Sequence, residues 1–359
     1  MSSPTRTATL FGYLGGRNLG DDAMLAGLLS AMPAGWTSII LAREPSAVVL
    51  PAGVRAEVRE AGALAALSAF ARSSAVVRVG GTSFHDEYGG ADRRRMAVNY
   101  LKLALLFLAA RLMGRRVGAF GIGAGRMTSR WTRLCARIAY RSCRAVVARD
   151  PASAVAIAGL GVHRIATGVD LAFLQPRSAA VPSEPPMISV SLLDLRPYLG
   201  VDPEAQLPFW TALVRAAASK VAARRLCLLA FKDNDVESDL PLAKSLSTAL
   251  EAEFDEILIL GHGDGLERVS DVIGGSALVV ATRYHAAVFA ALAGRPTVIV
   301  PYNDKLRHLA ADLGVEPADL TTPMAELPGS LQAPILAVAR GVLAERTAAT
   351  RSAITRFFS

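Results

Sequence analysis

Cysteine is scarce in this sequence, and its pattern argues against disulfide frameworks and metal centres. The 359 residues include three cysteines, Cys135, Cys143 and Cys227, which are widely spaced and have no histidine cluster beside them. An odd number of scattered cysteines predicts neither a disulfide scaffold nor a zinc site and is typical of a reducing compartment. No other group of metal ligands stands out, so we expect neither a metal nor a cofactor.

Long apolar segments are also missing. The most apolar stretch, residues 101–113, is interrupted by Lys102 and Arg111 and is shorter than the roughly 20 residues that cross a bilayer. Residues 1–10 lead into an apparent strand and leave no room for the apolar core of a signal peptide. We therefore expect a cytoplasmic protein without a membrane span.

Acidic residues are few in the first half of the chain. Residues 1–180 contain 23 lysines and arginines but only 10 acidic residues, which gives a net charge of +13. Residues 181–359 contain 16 basic and 21 acidic residues, which gives a net charge of −5. Such asymmetry predicts that the first half faces an anionic partner.

One basic segment of the first half has helical spacing. Its arginines from residue 130 onward form one stripe on a predicted helix, and apolar residues occupy the opposite face. A solvated helix surface is one interpretation, and contact with anionic lipid at the inner face of the cell membrane is the other. Nucleic acid is disfavoured, because no aromatic residues interleave and no nucleic-acid-binding motif is present. The arginine stripe comprises Arg130, Arg133, Arg137, Arg141 and Arg144, and the predicted apolar face comprises Trp131, Leu134, Cys135 and Ile138.

Five short apolar strands in each half of the chain alternate with helical segments. Strands that are apolar throughout are typical of parallel sheets covered on both faces. The pattern predicts an α/β protein with two doubly wound, Rossmann-like domains that face a cleft lined by the carboxyl ends of their strands. Prolines concentrate at 174–187, so we predict an N-terminal domain at 1–175, a linker at 176–186 and a C-terminal domain at 187–359. The last domain is predicted to end in a closing helix over residues 331–357, for which packing across the N-terminal domain is one interpretation.

Glycine-rich turns follow two predicted strands of the basic first domain. Glycine permits tight turns and a close approach of the backbone to a ligand. We therefore predict that these turns line the acceptor side of the cleft, and a helix cap at Asp21 or Asp22 is the structural alternative. The predicted residues are Gly15, Asn18 and Asp21 in "GYLGGRNLGDD", and Gly80, Gly81, Ser83 and Asp86 in "RVGGTSFHDEYGG".

Basic residues follow three other predicted strands. Arg149 ends "AVVAR", Arg283 and His285 follow "ALVVAT" where a small-residue helix begins, and Lys305 lies in the next loop, "PYNDK". The start of a helix attracts anions, and the forked guanidinium of arginine suits a carboxylate or a phosphate. The pattern predicts a site for a small acidic substrate, with Arg283 and His285 as catalytic candidates.

Arg283, His285 and Lys305 each also have a purely structural interpretation, whereas Arg149 has no such local explanation. An ion pair with Asp271 or Asp304 is the alternative for the cations, and a hydrogen-bonded core histidine is the alternative for His285. Burying both Arg283 and His285 without an anion would be costly. The substrate-binding interpretation is therefore favoured.

Taken together and in order, these segments resemble the polysaccharide pyruvyl transferase family from about residue 10 to 315. Five motifs of the family follow one another along the chain: a glycine-rich turn G-Y-x-G-x-x-N-x-G-D, a G-G-x-S-x-x-x-D-like loop, an R-D-x-x-S helix entry, an R-x-H-A strand end and a P-Y-x-x-K loop. One departure is Thr82, which stands where a third glycine is common. The matching residues are Gly12, Tyr13, Gly15, Asn18, Gly20, Asp21, Gly80, Gly81, Ser83, Asp86, Arg149, Asp150, Ser153, Arg283, His285, Ala286, Pro301, Tyr302 and Lys305.

The resemblance implies a fold similar to two-domain GT-B glycosyltransferases and a transferase of cell-envelope or exopolysaccharide biosynthesis. Its donor would be phosphoenolpyruvate, whose pyruvyl group becomes a ketal on a sugar of a polysaccharide or of a lipid-linked glycan precursor. By motif position, Arg149, Arg283, His285 and Lys305 correspond to donor-site residues. Two alternatives stay open: a nucleotide-sugar-dependent glycosyltransferase of the same architecture, and a non-catalytic glycan-binding module that docks on the membrane.

Overall fold

The computed structural model describes residues 6–86, 91–176, 180–234, 237–318 and 337–359. The chain divides into two compact units. The first unit comprises Met1–Gly16, Asp21–Gln175 and Ala344–Ser359, and the second comprises Arg17–Gly20 and Pro176–Leu343. A helix is present near the C-terminus, and its residues from Ala344 onward belong to the first unit. Residues 331–336 and 177–179, which the prediction placed in the closing helix and the linker, lie outside the described residues.

The described residues form twelve strands and twelve α-helices. The strands are β1 (Arg6–Phe11), β2 (Trp36–Ala42), β3 (Ala56–Glu60), β4 (Ala75–Thr82), β5 (Arg116–Gly123), β6 (Ala145–Ala148), β7 (Ile165–Thr167), β8 (Met187–Ser191), β9 (Arg225–Ala230), β10 (Glu256–Gly261), β11 (Leu278–Ala281) and β12 (Thr297–Ile299). The helices are α1 (Leu19–Ala31), α2 (Ala63–Ala71), α3 (Ala91–Leu112), α4 (Arg130–Ser142), α5 (Pro151–Ala158), α6 (Arg196–Leu199), α7 (Pro203–Val221), α8 (Leu240–Leu250), α9 (Leu266–Gly274), α10 (Tyr284–Ala293), α11 (Asp304–Leu313) and α12 (Ala337–Phe358).

Both units are built on parallel sheets. The first has seven strands in the order β3-β2-β1-β4-β5-β6-β7, and the second has five in the order β10-β9-β8-β11-β12. Every recorded strand pair is parallel. Parallel strands need crossover connections, which the intervening helices supply. The prediction of two doubly wound α/β units is therefore confirmed.

Apolar strands and helix faces build the core of each unit. In the first unit, Phe11 of β1 and Phe107 of α3 meet edge to face with ring centres 5.4 Å apart. In the second, the fully buried Trp210 of α7 packs with the apolar residues of β8, β9 and β11. Aromatic side chains bury the largest apolar areas, so they dominate the stability of such cores.

The end of α12 closes the first unit. Ile354, Phe357 and Phe358 are buried, and Thr350 accepts a hydrogen bond at Oγ1 from the backbone N–H of Val169 at 3.1 Å. These contacts place the C-terminal turns of the chain against the sheet that the N-terminal strand begins. Within the described residues, none of the helices combines the length and the apolarity that a bilayer span requires.

Candidate active site

The start of α10 in the second unit carries two of the predicted residues, Arg283 and His285. Arg283 occupies the N-cap position in an extended conformation without a side-chain cap. The Ser191 hydroxyl of β8 instead accepts hydrogen bonds from the backbone N–H groups of Thr282 at 2.9 Å and Arg283 at 3.1 Å. The hydroxyl thus fixes the turn by which β11 enters α10, and with it the position of both candidate side chains.

The imidazole of His285 packs against Gly20. A Cβ atom added to Gly20 would lie 2.0 Å from Nδ1 and 2.5 Å from Cε1 of His285. Only glycine leaves this space, because any side chain at position 20 would have to occupy the volume of the ring. The glycine-rich turn therefore has a role in the second unit that its position in the first half of the sequence did not indicate.

Asn18 holds this part of the turn in place. Its Oδ1 accepts a hydrogen bond from the backbone N–H of Gly20 at 3.1 Å, and its backbone forms an isolated antiparallel bridge with Lys232. The N–H of Leu19 also donates to the carbonyl of Phe231 at 3.1 Å. Asn18, which was predicted to line the acceptor side of the cleft, belongs to the same unit as His285.

Arg283 is buried in an ion-pair cluster. Its Nε and Nη2 donate to both oxygens of Asp239, at 3.2 and 2.5 Å, and Nη2 also donates to Glu237 Oε1 at 2.6 Å. Burial of Arg283 together with His285 is expected from the sequence to be costly without a bound anion. Since two carboxylates already neutralise the guanidinium, its burial alone does not require a ligand, and the partners are not the Asp271 or Asp304 of the structural alternative.

The charges of the cluster shift one another's pKa values. Burial acts to raise the pKa of Glu237, but the charges and hydrogen bonds of Arg283 and Lys232 outweigh burial and lower it to about 2. Burial raises the pKa of Asp239 although Arg283 opposes the rise. For Arg283, burial acts against the charged form, and Asp239 and Glu237 overcome it and raise the pKa. The guanidinium is therefore permanently charged and held in one orientation.

Four further side chains, Lys232, Tyr198, Tyr302 and Lys305, surround this cluster. Lys232 Nζ lies 2.5 Å from Glu237 Oε2, and the hydroxyl of Tyr198 donates to the same carboxylate at 3.1 Å. The ring of Tyr198 meets that of Tyr302 edge to face with centres 4.6 Å apart, and Nζ of the exposed Lys305 lies 6.0 Å from the centre of the Tyr302 ring. We call the set the second-unit cluster; it comprises Arg283, His285, Lys232, Glu237, Asp239, Tyr198, Tyr302 and Lys305.

Arg149 lies in the first unit at the carboxyl end of β6. Its guanidinium is close to Asp150, with Nε to Oδ2 at 3.4 Å, and to Asp170, with Nη1 to Oδ2 at 3.6 Å. Nη2 donates to the Thr82 hydroxyl at 3.3 Å. A Cβ atom added to Gly123 would lie 2.7 Å from the guanidinium carbon. The guanidinium of Arg149 therefore packs directly against the backbone of Gly123.

The remaining predicted residues of the glycine-rich turns lie in the first unit, where backbone conformation and local hydrogen bonds account for several of them. Gly15, Gly80 and Gly81 adopt positive φ angles of 66°, 41° and 77°, which glycine adopts without steric cost. Ser83, which follows β4, accepts a hydrogen bond at Oγ from Nε of Arg78 at 3.3 Å. Asp21 belongs to the first turn of α1. Arg78 was not singled out from the sequence, because it stands within an apolar strand.

Asp86 organises the start of α4. Its carboxylate accepts hydrogen bonds from the backbone N–H groups of Thr128 at 2.5 Å and Ser129 at 2.6 Å, and from the Thr132 hydroxyl at 2.5 Å. Burial raises the pKa of this carboxyl, but the hydrogen bonds outweigh burial, and the pKa is lowered. Asp86 thereby borders a cavity of about 500 Å³ between α3 and α4, lined by His85, Asp86, Arg93, Met96, Ala97, Tyr100, Thr128, Ser129, Trp131 and Thr132.

The arginine stripe is exposed along and just beyond α4, as predicted, but the opposite face differs from the prediction. Trp131 and Leu134 are 41% and 48% exposed, and the indole N–H of Trp131 donates to the carbonyl of Ala97 in α3 at 3.0 Å. The buried face includes Cys135, as predicted, and Ile138 packs against the core, but the face consists mainly of small residues and one tyrosine, because α4 packs closely on α3. These residues are Thr132, Cys135, Ala136, Ala139, Tyr140 and Ser142.

Metal ligands are not grouped in the part of the chain described here. Among those residues, no set of three or more histidine, cysteine, aspartate or glutamate side chains is arranged to hold a metal ion. The three cysteines are buried and unpaired. Burial raises the pKa of the Cys135, Cys143 and Cys227 thiols, which makes them poor nucleophiles.

Comparison with known proteins identifies a family and a fold. The sequence model of the family described as polysaccharide pyruvyl transferase matches residues 18–304, whereas curated protein sequences give no significant match. UDP-GlcNAc 2-epimerase from Methanocaldococcus jannaschii is similar in structure, with a TM-score of 0.61 and 11% identity over 92% of each chain. Anabaena HepE in complex with UDP-glucose gives a TM-score of 0.57 and 14% identity over 97% of this chain and 98% of that one. S. aureus MnaA in complex with UDP gives a TM-score of 0.58 and 11% identity over 99% of this chain and 92% of that one. These likenesses establish the fold, which is GT-B-like as predicted.

Proposed function

Because the chain belongs to the polysaccharide pyruvyl transferase family, we propose that it transfers the pyruvyl group of phosphoenolpyruvate to a sugar and forms a pyruvate ketal. The acceptor is a polysaccharide or a lipid-linked glycan precursor of the cell envelope. The observation that carries the proposal is the imidazole of His285, seated against Gly20 at the start of α10. A proton-transfer group in the first turn of a helix, two residues from Arg283, supports the proposal of an anionic donor.

The reaction makes defined demands on these residues. The methylene carbon of the donor gains a proton, a sugar hydroxyl attacks the neighbouring carbon, phosphate leaves, and a second hydroxyl of the same sugar closes the ketal. One phosphate is released for each ketal, and the two hydroxyl protons balance the proton gained by carbon and the proton carried off with phosphate. His285 accepts the proton of the attacking hydroxyl, since histidine exchanges protons near neutrality. Positive charge at the site stabilises the departing phosphate.

Arg283 serves the donor from a fixed position. Its hydrogen bonds use Nε and Nη2, and Nη1 makes none with the described residues. We assign Nη1 to one anionic group of the donor, while Asp239 and Glu237 set the orientation of the guanidinium. Preorganised donors of this kind cost no reorganisation when charge develops. The exposed Lys305 is assigned to the donor as a further cation, and Arg149 of the first unit stays a proposed anion-binding residue.

The exposed surface of α4 fits a protein that works on membrane-bound glycans. The arginine stripe offers positive charge, and the exposed Trp131 and Leu134 offer apolar side chains next to it. Basic residues near an anionic bilayer contribute about 1 kcal/mol each, and tryptophan favours the level of the lipid headgroups. We therefore assign this surface to reversible contact with the inner face of the cell membrane.

A nucleotide-sugar donor is the competing function, because HepE, one of the fold relatives, is described as a complex with UDP-glucose. Titration calorimetry of the full chain with phosphoenolpyruvate and with UDP-glucose separates the two donors. We expect binding of phosphoenolpyruvate and weaker binding in Arg283→Lys, because lysine keeps the charge but loses the planar fork. Binding of UDP-glucose alone would contradict the proposed donor.

A further inference from the structure

Arg78 is a charged residue in the interior of a parallel sheet. It lies in β4 between Val77 and Val79, both of which are buried, and it is itself only 4% exposed. Its register partners are Phe11 of β1 and Ala119 of β5. Arginine is almost never fully buried unless it is paired, because removal of the charge from water is costly.

The surroundings of Arg78 supply little compensation for its burial. Among the described residues, no ion pair joins its guanidinium to a carboxylate, and its recorded hydrogen bond is the 3.3 Å contact from Nε to Ser83 Oγ. Burial lowers the pKa of Arg78, and the fields of Tyr13, Tyr140 and Asp21 oppose this without reversing it. This is the opposite of the situation of Arg283 and Arg149, each of which is paired with two carboxylates.

The guanidinium extends toward the carboxyl end of the sheet, where ligands of parallel α/β folds collect. Ser83 follows β4, and a Cβ atom added to Gly12, the residue after β1, would lie 3.3 Å from Nη1 of Arg78. The turns that follow the adjacent strands β1 and β4 thus both approach the guanidinium of Arg78. Gly12 permits this approach because it has no side chain. Both turns belong to the first unit.

Tyr13 covers the guanidinium. The centre of its ring lies 5.1 Å from the guanidinium carbon, and the ring of Phe11 lies 5.8 Å away. Cation–π contacts of this kind recover part of the cost of burial. Phe11 is part of the core, but Tyr13 is 55% exposed. A rotation of its side chain would uncover Arg78 without any change in the core.

We propose that Arg78 and Ser83 form an oxyanion site in the first unit, that Tyr13 covers it when it is empty, and that it takes a phosphate or carboxylate group of the acceptor sugar. An oxyanion would give the guanidinium a directly bonded counter-charge, which none of the described residues provides, and the Ser83 hydroxyl can donate to the same anion. The assignment to the acceptor rests on the proposed pyruvyl transfer; the presence of an oxyanion site does not.

Calorimetry with the full chain tests the site with three probes: glucose 1-phosphate, glucuronate and phosphoenolpyruvate. We expect wild-type protein to bind one of the two sugar anions, which distinguishes a phosphate-bearing from a carboxylate-bearing acceptor. Arg78→Gln should weaken that binding about 10- to 100-fold, which is the loss of one charge-assisted hydrogen bond. The matched control is Arg72→Gln, which removes an exposed arginine of the same unit that pairs with Glu57.

A second measurement keeps the proposal testable if Arg78→Gln does not fold. Phenylglyoxal modifies accessible arginines, and the modified peptide is identified by mass spectrometry. Because Tyr13 is exposed, Tyr13→Ala should fold, and it should accelerate modification of Arg78, with protection by the sugar anion that binds. Unchanged reactivity of Arg78 in Tyr13→Ala, or unchanged sugar-anion affinity in folded Arg78→Gln, would overturn the site.

The probes also separate this proposal from the proposed function. Arg78-dependent binding of phosphoenolpyruvate alone would overturn the assignment to the acceptor. Arg78-dependent binding of a sugar anion by a chain that forms no pyruvate ketal would refute the pyruvyl transfer and support the oxyanion site.

Discussion

At the scale of single residues, space and charge define the second-unit cluster. Gly20 leaves the room that the imidazole of His285 fills, and Asp239 and Glu237 hold the guanidinium of Arg283. The two effects differ in what they require of the chain. The first depends on the absence of a side chain, and the second on carboxylates more than forty residues away in sequence.

Replacement of Gly20 by alanine tests the first effect. The added methyl group would overlap the His285 ring, so the imidazole must move, and a displacement of about 1 Å is enough to cost on the order of 10² in rate. Stability should change by less than about 1 kcal/mol, since alanine favours the helix that Gly20 enters. Pyruvyl transfer and thermal unfolding are measured for Gly20→Ala beside Gly263→Ala, whose added Cβ would meet no neighbour within 4 Å. Equal activity of the two variants would show that the contact between Gly20 and His285 has no functional weight.

Charge at Glu237 should appear as a pH dependence of stability. Its pKa is lowered from 4.5 to about 2 in the folded chain, so its stabilising contribution is fully present above about pH 4.5 and is lost as the pH falls toward 2. Glu237→Gln removes this contribution, which we expect to be about 1–3 kcal/mol after allowance for solvent screening. Urea unfolding of both proteins at several pH values checks this. The stability difference should shrink between pH 5 and pH 3, and a constant difference would refute the ion-pair account.

At the scale of elements, α4 shows what helical spacing predicts and what it leaves open. The spacing located the arginine stripe, but it placed Trp131 and Leu134 on the buried side, and both are exposed. The close packing of α4 on α3 favours small residues such as Ala136 and Ala139 in the interface. A helical wheel records hydrophobicity and spacing, but it does not record how near the neighbouring helix lies.

Vesicle sedimentation tests the membrane contact of this element. Changing Arg133, Arg137 and Arg141 to glutamine should reduce binding to anionic vesicles at low salt, because each basic residue contributes about 1 kcal/mol, and high salt should release wild-type protein. The control changes Arg215, Arg224 and Arg225 of the second unit to glutamine, which alters net charge equally. Equal loss of binding in the two variants would show that overall charge, rather than the arginine stripe, attracts the protein.

The sheets show where prediction from sequence succeeds and fails. The five strands predicted in the second half correspond to β8 to β12, because each is an apolar run bounded by polar residues. The edge strands β3 and β7 were not predicted, since β3 alternates charged and apolar residues and β7 has three residues. Edge strands are short and partly solvated, so the apolar signal that marks buried strands is weak in them.

At the scale of the whole molecule, the order of strands and helices was predictable because periodicity is local. Ligands of parallel α/β folds bind at the carboxyl ends of strands, and this rule identified Arg283 and His285, which lie where β11 ends. The partners of these residues were not predictable. Gly20 meets His285, and Asp239 meets Arg283, across long stretches of chain, and no local pattern encodes such contacts. Arg78 was not predicted as a functional residue, because the strand that contains it is otherwise apolar.

The central claim is that this member of the polysaccharide pyruvyl transferase family moves pyruvyl groups from phosphoenolpyruvate with the help of His285. The most direct measurement incubates the full chain with phosphoenolpyruvate, labelled in its pyruvyl carbons, and polysaccharide precursor from a strain that lacks the gene. Mass spectrometry then detects the ketal, and released phosphate is measured in parallel. We expect one phosphate for each ketal, and a rate about 10²–10⁴ lower in His285→Gln, which keeps a hydrogen bond but cannot transfer the proton. Absence of labelled ketal from the wild-type product, or wild-type turnover in His285→Gln, would contradict the claim.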